Sequence, residues 1–171
     1  MASNATLVKK GYGQVEPNHL SAQRTAQIHA QLPAAASYDF LENGQFVKYD
    51  YAKGEVNTSG AGEWMLVYNE VKVYKALETD ADFALMKNPA VKEGKDLDFV
   101  PRVFKTNIGD IFTTNCVKAT KEAIEGASTK VLYVGEDGYL TLTENGDMKW
   151  EIVKVYTLPD GQDAVKIMRI A

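Results

Sequence analysis

The stretch Leu41–Tyr74, LENGQFVKYDYAKGEVNTSGAGEWMLVYNEVKVY, decides the fold. Val47, Tyr49 and Tyr51 alternate with Phe46, Lys48 and Asp50, the period of a strand with one buried side. Asn43-Gly44 ahead of this run is a turn signal, and Lys53-Gly54 ends it. A short strand over Glu55–Thr58 follows, then the flexible loop Ser59-Gly60-Ala61-Gly62. In Glu63–Tyr74, Trp64, Leu66 and Tyr68 share one face, while Met65, Val67, Val71 and Val73 share the other. Apolar residues on both faces predict a strand covered on both sides, the central one of its sheet.

Downstream, the same texture continues. Thr79–Met86 begins like a short helix, with Thr79 and Asp82 as a capping pair and Asn88-Pro89 as its stop. Val91–Asp98 is a charged loop. Gly109-Asp110 is a turn between Phe104/Ile108 and Ile111/Phe112, of the kind that bends a small barrel. Lys118–Glu125 reads as one or two helical turns or as a strand. Lys130–Val134 and Tyr139–Thr143 flank a hairpin turn at Gly135–Gly138. Trp150–Leu158 and Ala164–Ile170 flank Pro159-Asp160-Gly161-Gln162, the strongest hairpin signal in the chain. Short strands about ten residues apart with turns between them predict a mainly β body, a small β-barrel or β-sandwich with short helical turns.

Residues 1–37 differ from this body, which spans 38–171. Lys9, Lys10 and Arg24 face one acid, Glu16, so the segment carries +2 while the remainder carries −6. Its large apolar side chains are few, and it cannot bury much surface alone. Ala-Gln pairs recur at 22, 26 and 30. They fit a helix capped by Ser21 and stopped by Pro33, and equally a strand with Ile28, Ala30 and Leu32 on one side. The segment is expected to be an extended N-terminal arm that orders on a partner.

The totals exclude several functions. A chain of 171 residues with 45% hydrophobic content suits one domain with a real core. A net charge of −4 opposes general nucleic-acid binding, which needs a basic surface. A single cysteine, Cys116, leaves no internal disulfide and fits synthesis in a reducing cytoplasm. The first 20 residues lack an apolar run of signal-peptide type, and no run is long enough to span a membrane.

Catalytic chemistry is hard to place. His19 and His29 both lie in the arm, which lacks the packed shell that orients a base or a ligand. Cys116 has no histidine in the body to activate it and reads as a buried structural thiol. Paired acids such as Glu136/Asp137 and Asp80/Asp82 cluster in turns, where such residues are expected. Trp64 and Trp150 with Tyr49 and Tyr51 could form a stacking platform, but core packing explains them better. The chain is expected to be no enzyme and to need no cofactor or metal.

The order ENGQFVKYDYAKGEV, GAGEWMLVYNEVKVY, PRVFKTNIGDIFTTNC and the closing Leu-Pro-Asp-Gly hairpin resembles a group of small proteins encoded near the major capsid gene. These are the capsid decoration (cement) and minor head proteins of tailed phages and prophages of Gram-positive bacteria. The arm, with EPNHLSAQRTAQIHAQLPAA, fits the same group. The resemblance covers most of the chain, but its motifs are structural, and no functional residue carries over from it. It implies a virion structural protein, in the first place a cement protein on the outer surface of the mature phage head. Its partners would be the major capsid protein and neighbouring copies of itself, a small cyclic homo-oligomer included, with no direct contact to nucleic acid or membrane. A basic arm on an acidic body suits an acidic capsid surface, with Lys9, Lys10, Tyr12, Arg24, Ile28 and Leu32 as the expected contacts. A tail-tube or head–tail joining subunit, and a carbohydrate- or ligand-binding β-module, remain as alternatives.

Overall fold

The structure is a computed structural model that describes residues 3–17, 28–38, 40–68 and 100–171. Two antiparallel sheets pack as a sandwich, with one short helix, and the barrel alternative falls away. In chain order the elements are β1 Val15–Glu16, β2 Ile28–His29, β3 Phe46–Asp50, β4 Glu55–Asn57, β5 Met65–Val67, β6 Val103–Phe104 and β7 Ile111–Thr114. They are followed by α1 Lys121–Gly126, β8 Val131–Val134, β9 Leu140–Thr141, β10 Lys149–Thr157 and β11 Asp163–Arg169. The six-stranded sheet runs β1-β7-β11-β10-β8-β9, and the five-stranded sheet runs β2-β6-β5-β3-β4.

The alternation in Phe46–Asp50 and Met65–Val67 sorts side chains between two cores. Phe46 and Leu66 point into the layer between the sheets, where they meet Phe112, Leu132, Leu140, Trp150, Val165 and Ile167. Val47, Tyr49, Met65 and Val67 point the other way, against Leu41, Val56 and Val103, and are covered by Leu32, Ala34 and Tyr38. β3 and β5 are therefore covered on both faces, β3 in contrast to the single buried side its alternation predicts because Phe46 enters the inter-sheet layer, and this is why β5 is apolar on both sides. β5 stands third of five, the central position expected of the Glu63–Tyr74 run, of which residues 69–74 lie outside the described residues. Phe46, Phe112 and Trp150 form the aromatic centre of the inter-sheet core, with ring centroids 5.0–6.5 Å apart.

The turn at Gly109 (φ 93°) lies between β6 of one sheet and β7 of the other. Its bend moves the chain between layers of a sandwich rather than around a barrel. The β10–β11 hairpin closes as its turn chemistry predicts: Leu158 N–H donates to the Gln162 carbonyl at 2.7 Å, and Gly161 takes φ 84°. Of the readings open for Lys118–Glu125, the helix is realised over Lys121–Gly126, with Thr120 Oγ1 accepting from the Ala123 N–H. The expected helix at Thr79–Met86, the loop Val91–Asp98 and the Ser21–Gln27 part of the Ala-Gln echo lie outside the described residues. Ile28–His29 is extended and pairs with β6.

Candidate functional site

The most densely built polar region joins the N-terminal segment to the sandwich. Residues 3–17 cross the body with most of their described backbone bonds reaching sequence-distant positions. Thr6 and Leu7 N–H both donate to the Val117 carbonyl. Lys9 and Lys10 N–H both donate to Gln162 Oε1, at 2.9 and 3.0 Å. Gly13 N–H donates to Glu42 Oε1 at 2.9 Å, and Gln14 N–H to Asn115 Oδ1 at 2.7 Å. Val15 and Glu16 then pair with Thr114 and Thr113 as the edge strand β1. The acceptors Glu42, Asn115 and Gln162 are all buried. Without the segment each would lose a partner in a dry environment, which costs more than the bond gains in net terms.

Glu42 is the hub. Its carboxylate is fully buried and also accepts the Tyr139 hydroxyl at 2.6 Å. Gln45 fixes the loop below it, taking the Glu42 N–H on Oε1 and donating from Nε2 to the Asp137 carbonyl. Close approach of backbones makes this geometry possible. A Cβ on Gly13 would lie 2.5 Å from the Asn43 carbonyl oxygen and 3.0 Å from the Cys116 sulfur. A Cβ on Gly138 would lie 2.0 Å from the Phe46 carbonyl oxygen. Burial raises the ionisation range of the Tyr139 hydroxyl, and the Glu42 carboxylate raises it further. Burial, then Glu42, then Asp137, push the Cys116 thiol well up. Cys116 is thus held as a neutral, packed thiol beside Ala5 and Tyr139. Chemically this cluster fastens chain segments together.

A second carboxylate contact lies midway along the segment. Lys9 Nζ sits 2.6 Å from Asp163 Oδ2, and Lys121 Nζ lies 3.4 Å from Oδ1. The Lys9 ammonium is the main reason that the Asp163 carboxyl stays below its ordinary range. Asp160 is raised by burial, but hydrogen bonds from Gln162 and then Gln14 outweigh this and lower it. Between β1 and the β10–β11 turn is a shallow cavity of about 250 Å³, lined by Gln14, Val15, Glu16, Thr113, Leu158, Pro159 and Asp160.

The residues expected to touch a partner divide into three groups. Lys9 and Lys10 lie on the surface of this junction, Lys9 in its ion pair with Asp163. Tyr12 is 7% exposed and packs edge-on against Phe40 at 5.0 Å, so its own chain, and not a neighbour, covers the ring. Ile28 is 38% exposed on the edge strand β2, while Leu32 packs over the second core. Arg24 and His19 lie outside the described residues. His29 packs edge-on against Tyr49 at 5.5 Å. The segment that composition marks as a loose arm is, over residues 3–17, part of the sandwich. Ala5 and Leu7 join clusters with body residues. Few large apolar residues were needed, because backbone groups meet buried side-chain acceptors instead.

Sequence reasoning missed Glu42, Asn115 and Gln162. Glu42 precedes the Asn43-Gly44 turn signal, Asn115 follows the end of β7 at Thr114, and Gln162 closes the Pro159–Gln162 turn, places where a polar residue attracts no notice. Trp150 is in the core, whereas Trp64 is half-buried with Lys48 Nζ 4.4 Å from its ring centre. Among the described residues, no three His, Cys, Asp or Glu side chains gather to hold a metal ion, and no helix is long and apolar enough to cross a membrane. Comparison with protein-family models, curated proteins and solved structures finds no match to this chain.

Proposed function

We propose that this chain is a virion structural protein, a capsid decoration (cement) protein that binds the outer surface of the mature phage head and stabilises it. The resemblance of the strand-forming stretches to that group supplies the class. The observation that carries the reading is how the buried polar side chains are used. Glu42, Asn115 and Gln162 each hold backbone N–H groups of the distant N-terminal segment, and Asn57 holds those of Ser59 and Gly60 in its own loop, which welds the chain into one stiff scaffold. A cement protein acts by binding one lattice state and not its alternatives, so a stiff contact surface favours discrimination. Contacts to the capsid and to neighbouring copies then fall to exposed positions, Lys10 and Ile28 among those first expected. Tyr12 serves the fold.

The test is to add purified protein to expanded heads that lack it. Saturable binding at symmetry-related sites, with heads that survive more heat, is the expected result. Assembly of the isolated protein into rings or tubes, with no binding to heads, would replace this reading with the tail-tube or joining-subunit alternative.

A further inference from the structure

The outer face of the six-stranded sheet carries a second feature. Trp150, Ile152 and Val155 of β10, with Val165 and Ile167 of β11, fill the inter-sheet core. By alternation, Lys149, Glu151, Lys154 and Tyr156 of β10 and Lys166 and Met168 of β11 point outward. Lys154 and Lys166 are direct cross-strand partners. Like charges placed so are destabilising. Among the described residues, neither ammonium has a carboxylate within ion-pair distance. Lys154 Nζ lies 5.6 Å from the Tyr156 ring centre, and Lys149 Nζ lies 5.9 Å from that of Tyr133. A register shift between Ile152 and Lys154 pushes Val153 out, 51% exposed, beside this pair.

We infer that this face docks an acidic protein surface. Lys154 and Lys166, on a chain with net charge −4, make a local cationic field that carboxylates would neutralise, while Lys149 beside them already lies 3.9 Å from Glu144. Val153 and Met168 give the patch an apolar centre with charged neighbours, the anatomy of a protein interface. Nucleic acid fits less well. Glu151 lies on the same face and Glu16 at its β1 edge, where they would meet a continuous phosphate backbone, whereas a protein can set cations opposite them. The inference concerns this face alone and holds or fails independently of whether the acidic surface belongs to a capsid.

The test uses the full-length chain labelled with 15N and titrated at low salt with hexaglutamate, with an oligothymidylate of similar length as the competing probe. Hexaglutamate should shift amides in Lys149–Tyr156 and Val165–Met168. Lys154→Glu separates docking from folding, because it turns the like-charge pair with Lys166 into an opposite-charge pair. It should hold or raise the melting temperature and weaken hexaglutamate binding about tenfold. Lys53→Glu, on the β3–β4 turn of the other sheet, should leave binding unchanged. Absence of shifts, shifts centred elsewhere, undiminished binding by Lys154→Glu, or tighter binding of oligothymidylate at this face would each overturn the inference.

Discussion

Glu42 accepts the backbone N–H of Gly13 at 2.9 Å from a position with no solvent exposure. This one bond ties the N-terminal segment to the loop that opens β3. Its geometry needs both partners as they are: a carboxylate long enough to reach the strand, and a glycine thin enough to lie against Asn43 and Cys116.

Glu42→Ala should lower stability by about 2–4 kcal/mol, since it strands a buried N–H and a buried hydroxyl together. Glu42→Gln retains an acceptor oxygen and should cost less. Urea denaturation measures the difference. Limited proteolysis should cut residues 3–17 first in the alanine variant. If both variants lose equal stability, the carboxylate is not the feature that fastens the segment.

Two glycines with the same backbone twist should respond differently to alanine. A Cβ added at Gly161 (φ 84°) would meet open space, whereas one added at Gly138 (φ 82°) would stand 2.0 Å from the Phe46 carbonyl oxygen. Gly161→Ala should cost about 1 kcal/mol, the left-handed backbone penalty alone. Gly138→Ala should cost at least about 3 kcal/mol, because the link between β3 and the β8–β9 turn must move. Thermal melts of the two variants make the comparison.

Acid should loosen the N-terminal segment. Asp160 and Asp163 both ionise below their ordinary 3.8 in the folded chain. A depressed folded value gives stability that is complete above the unfolded value and is lost as pH falls through the folded one. The loss therefore begins near pH 4 and deepens below it. Asp163→Asn should flatten this part of the pH profile and have its largest effect near neutrality. Because the partner ammonium of Lys9 is exposed, the change should be modest and should shrink in high salt.

The two tryptophans should separate in fluorescence. Trp150 lies between Phe46 and Phe112 with no solvent exposure, so Trp64→Phe should leave a blue-shifted emission that acrylamide barely quenches. In the unsubstituted chain, any quenching by an added sugar would have to come from Trp64.

Cys116 should be inert to a disulfide reagent at pH 8 in the native chain and react on unfolding, since burial keeps it a thiol. Fast native labelling would mean that residues 3–17 lift from the body often enough to open the cluster under them.

Much of the fold was legible in short-range pattern. The alternation of Phe46–Asp50, the two-sided apolar run around Leu66 and the Pro159–Gln162 turn each reflect local sterics and a period of two, which hold whatever the chain later packs against. The helix at Lys121–Gly126 was left open because six residues are too few for a periodicity to decide. The junction around Glu42 left no trace, since its parts come from positions 13, 42, 115, 139 and 162.

By itself, the sequence determined that this is a mainly β chain with strands near Phe46, Leu66, Trp150 and Ile167. It also determined that the first 37 residues cannot form a core of their own, for want of apolar surface. Only the tertiary structure decided between sandwich and barrel, because closure depends on which strands stand at the edges. It also decided that residues 3–17 belong to the body. Hydrogen bonds between a backbone and distant buried side chains carry no periodicity, and a composition poor in large apolar residues does not reveal them.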